Sequence, residues 1–141
     1  MVLTLEIKTA PVPHQSFRVG RNGIKYKPKR IKDYQAYVQK LVADQLPKDF
    51  EPITAGTPIT INYLHYCFAY PKSMAKKRRY EGKPKVTKPD LHDNLNKALF
   101  DALEGLLFEQ DQNIVQISDL RKYYDERDCI KLQITTNENP S

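Results

Sequence analysis

The chain has 141 residues, 40% of them hydrophobic and 28% charged, and reads as a single domain spanning 1–141 with an ordinary core. No apolar run approaches the roughly 18 residues of a membrane span, and the alternating start with Glu6 and Lys8 is not a secretory signal. The net charge of +6 conceals an asymmetry: residues 1–89 hold eighteen Lys/Arg against six Asp/Glu, a balance of +12, and residues 90–141 hold five against eleven, a balance of −6. A basic front half predicts a polyanionic partner, although a solvated surface has the same composition. Cys67 and Cys129 have no CxxC companions and the three histidines are scattered, which argues against zinc and predicts free, buried thiols.

Val2, Leu3, Leu5 and Ile7 predict a first strand, ended by Pro11 and Pro13. From Phe17 to Lys32 the chain carries Arg18, Arg21, Lys25, Lys27, Lys29, Arg30 and Lys32 without one acid. Asn22-Gly23 is a hairpin signal flanked by Phe17, Val19, Ile24 and Tyr26, so a small basic ribbon is expected. Ile31 to Leu46 predicts a helix whose stripe is Ile31, Tyr34, Val38, Leu41, Val42 and Leu46, with Pro47 as its stop. Ile59 to Tyr70 predicts a central strand. One face carries Ile59, Ile61, Tyr63, His65 and Cys67; the other carries Leu64, Tyr66, Phe68 and Tyr70. His65 reads as a packed histidine.

A second basic stretch holds Lys72, Lys76, Lys77, Arg78, Arg79, Lys83, Lys85 and Lys88 against Glu81 alone. Ser73 is expected to cap a short helix over Lys76 to Arg79. The stretch reads as a mobile arm, and Tyr80 within it is placed either to stack on an exposed base or to pack on the sheet. Next come Lys-Pro-Asp-Leu-His-Asp-Asn-Leu-Asn-Lys over 88–97, Phe-Asp-Ala-Leu-Glu-Gly over 100–105, and Asp111 beyond. Leu95, Ala98, Leu99, Ala102, Leu103 and Leu106 predict one apolar stripe of a helix; Asp93, Lys97, Asp101 and Glu104 share another face. Strands are expected over Ile114 to Tyr123 and Cys129 to Thr135, with 136–141 a loose tail. The order implies an α/β fold, one mixed sheet with helices packed on it.

Asp90, Asp93 and Asp111 can converge at the helix entrance, with Lys97 one turn in. Clustered carboxylates repel, and a hard divalent cation removes that repulsion. A lysine beside such a site can stabilise a phosphate oxygen. The spacing also fits a plainer reading, in which Asp90 or Asp93 caps the helix and Lys97 pairs with Asp93 or Asp101.

Lys-Pro-Asp…Asp-Asn-Leu-x-Lys, then Phe-Asp-Ala-Leu-x-Gly, then an aspartate six residues past the glycine, resembles the RusA family of Holliday-junction resolvases. The resemblance implies a phage- or prophage-encoded, homodimeric endonuclease acting on four-way DNA junctions in the bacterial cytoplasm. It implies that Asp90, Asp93 and Asp111 bind Mg²⁺, or Mn²⁺ in its place, and that Lys97 assists catalysis. On that reading the two basic stretches contact DNA through Arg18, Arg21, Lys25, Lys27, Lys29, Arg30, Lys72, Lys76, Lys77, Arg78, Arg79, Lys83, Lys85 and Lys88. The chain departs from the family pattern twice. Leu91 and His92 both stand between the first two aspartates, where one residue is usual, which leaves His92 as an extra ligand or an insertion. Gln110 precedes Asp111 where a second aspartate is favoured, and Asn113 stands where Gln is usual. Two other functions fit these residues: a DNA-binding accessory protein without catalysis, and a metal-dependent nuclease for other branched or single-stranded DNA.

Overall fold

The computed structural model describes residues 1–13, 18–26 and 28–136, with the backbone alone at Arg18, Val19, Tyr26 and Asp93. Strand β1 (Val2–Ile7) lies antiparallel to β7 (Cys129–Thr136), and β7 lies antiparallel to the long strand β4 (Ile59–Ala69). On its other side β4 pairs in parallel with β5 (Ile114–Ile117) and β6 (Leu120–Asp125), one after the other. The five strands form one mixed sheet, so the α/β expectation holds. The basic ribbon expected around Asn22-Gly23 is present as β2 (Arg18–Val19) and β3 (Lys25–Tyr26). Gly23 takes φ 72° at its turn, a value that suits glycine. Phe17 and Lys27, assigned to the ribbon and to DNA contact, lie outside the described residues.

Helix α1 (Lys29–Ala43) starts directly after Pro28, two residues earlier than the apolar stripe suggests. Ile31, Tyr34, Val38 and Val42 are its buried face. It ends before Pro47 is reached, in turns where the Gln45 and Leu46 amides donate to the carbonyls of Val42 and Ala43. The Gln45 side chain then donates to the carbonyl of Glu6 at 2.8 Å and accepts from its amide at 3.1 Å, tying the helix end to β1. Helix α2 (Asn96–Leu103) buries Ala98, Leu99, Ala102 and Leu103. Both helices and the sheet share one core, built around Leu5, Ile7, Ile61, Leu64, Tyr66, Leu132 and Ile134. Leu106 leaves the expected stripe because α2 stops at Leu103, and Leu107 is buried instead.

Two irregularities were not expected from alternation. The β4–β7 register shifts between Ile61 and Tyr63. A one-residue irregularity inverts side-chain phase. Ile59 and Ile61 therefore share the core with Leu64 and Tyr66, rather than a face with Tyr63, His65 and Cys67. At the same level the expected strand 114–123 breaks into β5 and β6. There the Ser118 amide donates to Ile61 and the Leu64 amide to Asp119. The C-terminal expectation is corrected at one residue: Thr136 is buried and its amide donates to Met1, so the strand runs one residue further. Residues 137–141 lie outside the described residues. Among the described residues no helix is long and apolar enough to cross a membrane. Cys67 and Cys129 are free and buried, as expected, and face each other in register.

Candidate active site

The chain enters α2 through a π-helical turn, Leu91–Leu95, in which the Leu95 amide donates to the Asp90 carbonyl at 3.3 Å. A π turn holds one residue more than an α turn and commonly marks a functional site. Leu91 and His92, the residues between Asp90 and Asp93, lie in this turn, and regular helix follows from Asn96. His92 is exposed within it. The residue before α2 is Leu95, which offers no side-chain cap. The Tyr66 hydroxyl, on the buried side of β4, donates to the Asn96 side chain at 2.8 Å and fixes this junction to the sheet.

Downstream, α2 ends at Leu103, Glu104 follows in extended conformation, and Gly105 turns the chain with φ 86°. The segment then lies along residues 53–55. The Ile53 amide donates to Leu107, the Glu109 amide donates to Ile53, and the Ala55 amide donates to the Glu109 carboxylate at 2.7 Å. Asn113 is buried and donates to the Thr54 carbonyl at 2.7 Å. This anchoring presents Asp111, at the start of a short 3₁₀ turn before β5, toward the end of α2. Carboxylate oxygens of Asp101, Glu104 and Asp111 all lie within 4.8 Å of one another. The Lys97 ammonium is 3.8 Å from Asp101, one helical turn back.

Asp111 and Lys97 are thus linked through Asp101; the Lys97–Asp101 pair is one the plainer reading named, but the sequence reading gave neither Asp101 nor Glu104 a place at a metal site. The signal was visible, since both share the helix face of Lys97. Asp90 is exposed and is not part of this cluster. Asp93 stands eight residues before Asp101, roughly 12 Å of helical rise, and its side chain is outside what is described. Hard oxygen donors this close match the ligand preference of Mg²⁺ and Mn²⁺.

The family model for endodeoxyribonuclease RusA matches residues 8–135. The chain belongs to the RusA family of endodeoxyribonucleases. A search of curated proteins finds no match. The match spans both basic segments and Asp90, Asp93, Asp101, Glu104 and Asp111.

In this RusA-family chain the second basic segment is not a free arm. Its Lys76–Arg78 portion is a 3₁₀ turn preceded by Ala75, with no cap from Ser73. The Arg79 guanidinium donates to the carbonyls of Met74 and Pro71 and lies 5.3 Å from the Tyr70 ring centroid. Lys85 lies 5.0 Å from the centroids of both Phe68 and Tyr124. The Tyr124 amide donates to Lys83 at 2.8 Å, so the segment runs as an added antiparallel stretch along β6. A hydrogen bond with Thr87, and then the Lys85 ammonium, hold the Tyr124 phenol below its ordinary value. Tyr80 is 56% exposed with Lys83 over its ring at 5.0 Å, so it does not pack back on the sheet.

Arg30, from the start of α1, and Lys85 and Lys88, from the second segment, line one groove of about 440 Å³ whose wall includes Pro89, next to Asp90. Arg21, Lys25, Lys29, Lys72, Lys76, Lys77 and Arg78 are exposed. The side chain of Arg18 is outside what is described. His65, read as a packed residue, is more engaged than that: its ring bonds Tyr123 at 3.1 Å and Asp119 at 2.9 Å on the sheet face away from the helices.

Proposed function

We propose that this chain is a divalent-metal-dependent endonuclease that resolves four-way DNA junctions, acting as a homodimer in the bacterial cytoplasm. Family membership supports the nuclease chemistry. The observation that carries the finer reading is the meeting of Asp101, Glu104 and Asp111, with Lys97 against Asp101, on the chain's acidic half. Asp111 is the proposed ligand common to both arguments. Asp90 and Asp93 come from the family pattern, and Asp101 and Glu104 from their proximity.

A bound Mg²⁺ or Mn²⁺ supplies Lewis-acid stabilisation to a phosphodiester and makes water a competent nucleophile near neutral pH. The carboxylates hold that charge in place. Lys97, kept in position by Asp101, offers an ammonium to a phosphate oxygen. Arg30, Lys85 and Lys88 attract the DNA backbone to the groove that leads to Asp90. A two-fold dimer would present two such sites to a substrate of near two-fold symmetry.

The test is cleavage of a four-way junction with Mg²⁺ by the wild type and by single Asp90→Asn, Asp93→Asn, Asp101→Asn, Glu104→Gln and Asp111→Asn variants. Loss at Asp111 with loss at Asp90 and Asp93 assigns the family's ligand set. Loss at Asp111 with loss at Asp101 and Glu104 assigns the set at the helix end. No cleavage of any DNA by wild type, with junction binding intact, identifies a DNA-binding accessory protein instead.

A further inference from the structure

Lys122 is a β6 residue with no part in the family pattern described above. Its ammonium donates to two main-chain carbonyls, Thr87 at 2.7 Å and Pro89 at 2.6 Å. Charge-assisted bonds of this length are stronger than neutral ones. Pro89 immediately precedes Asp90, and Leu91, the first residue of the π turn, lines the same pocket as Lys122. The main chain of Lys122 grips the segment a second time, accepting from the Lys85 amide at 3.4 Å. One β6 residue therefore holds both ends of the stretch 85–89, in which no regular element supplies order. Beyond it, Tyr66 pins Asn96. Asp90 and the π turn are suspended between these two attachments.

We propose that Lys122 is a positioning residue: by holding the Thr87 and Pro89 carbonyls it sets where the Asp90 carboxylate stands and keeps the π turn closed. For its catalytic consequence this rests on the metal-dependent reading with Asp90 in the ligand set, but not for its structural one. A lysine at this place is spent on backbone oxygens and is not a phosphate contact, although its charge alone suggests one.

Lys122→Met and Lys122→Arg test it, each measured three ways. In metal-free protein, amide exchange at 86–92 accelerates in Lys122→Met while exchange in β7 stays as in wild type. The half-saturating Mn²⁺ or Mg²⁺ concentration for cleavage rises roughly tenfold, the usual scale for removing a group that orients a ligand. Junction affinity in EDTA, and its salt slope, stay at the wild-type level. Lys122→Arg, which retains a charged donor, lies between wild type and Lys122→Met. Unchanged exchange at 86–92 overturns the proposal, as does a reduced salt slope, which would make Lys122 a DNA contact. If Lys122→Met does not fold, Lys122→Arg and Lys122→Gln carry the same three measurements, and wild-type exchange in both overturns it equally. Failure of the metal reading at Asp90 appears elsewhere, as normal cleavage by Asp90→Asn, and leaves the exchange result standing.

Discussion

Asp111 stands in the segment between α2 and β5, and a buried amide, that of Asn113, holds that segment. Asn113 is 5% exposed and its side chain donates to Thr54. Asn113→Ala leaves that carbonyl without its partner, at a cost of about 2 kcal/mol. Urea unfolding should show the loss, and cleavage should fall with it because Asp111 shifts. Full stability in Asn113→Ala would mean that the amide is not the anchor. Replacing Asp111 itself with Asn should leave stability nearly unchanged and lower cleavage by at least about a hundredfold, since a ligating carboxylate is removed. Normal cleavage by Asp111→Asn at saturating Mg²⁺ contradicts the ligand assignment. Asp111 and Lys97 could be singled out in the sequence from motif spacing. Asn113 could be seen only as a departure from the family pattern, because its value lies in a partner 59 positions away. Asp101 and Glu104 were on the right helix face, but their meeting with Asp111 depends on how Gly105 turns the chain.

At the scale of elements, periodicity found β1, α1, β4, α2 and β7 and misplaced what interrupts them. The shift in β4 and the break between β5 and β6 sit side by side, and neither leaves a mark on an apolar–polar pattern. The π turn is different: an additional residue between Asp90 and Asp93 was legible as a departure from the family pattern, and the π turn lies where that departure stands. The break before β6 also sets the Asp119 carboxylate between the His65 ring of β4 and the Arg121 guanidinium of β6. Asp119 is held below its ordinary value of 3.8, first by its bond to His65 and then by its bond to Arg121, and desolvation opposes them only partly. Its folded value is lower than its unfolded one. The contribution of these two bonds is therefore present above the unfolded value and is lost as pH falls through the folded one. The stability gap between wild type and Asp119→Asn should be constant near pH 5 and narrow below about pH 4. A gap that stays constant down to about pH 2 would show that the carboxylate gains nothing in the folded state.

Across the whole molecule, charge is divided along the chain, basic in residues 1–89 and acidic in 90–141. Fifteen of the twenty-three Lys/Arg lie in Arg18–Lys32 and Lys72–Lys88, and the groove shared by Arg30, Lys85 and Lys88 brings the two segments together. That the segments would share a face was an expectation of the sequence. Arg79 and Lys83 lie over rings close by in the chain, Tyr70 and Tyr80, whereas Lys85 lies over Phe68 and Tyr124 of two strands, which the composition of the segment could not announce. The cations of Lys76, Lys77 and Arg78 remain exposed to solvent. Each phosphate they neutralise contributes about 0.9 to the slope of log affinity against log salt on duplex DNA. A variant with Lys76, Lys77 and Arg78 all replaced by Ala should bind every DNA more weakly and with a shallower slope, while its preference for junctions over duplex persists. A slope equal to wild type would remove this turn from the DNA interface.

The central claim is that the acidic half cuts branched DNA held by the basic half, and one comparison addresses it most directly. Wild-type protein is incubated with four-way junction, linear duplex and single-stranded DNA, each with Mg²⁺ or with EDTA, and both binding and strand cleavage are read. The account predicts cleavage of the junction with Mg²⁺, far less of either linear substrate, and junction binding without cleavage in EDTA. Cleavage that survives EDTA, or that treats duplex and junction alike, would contradict it.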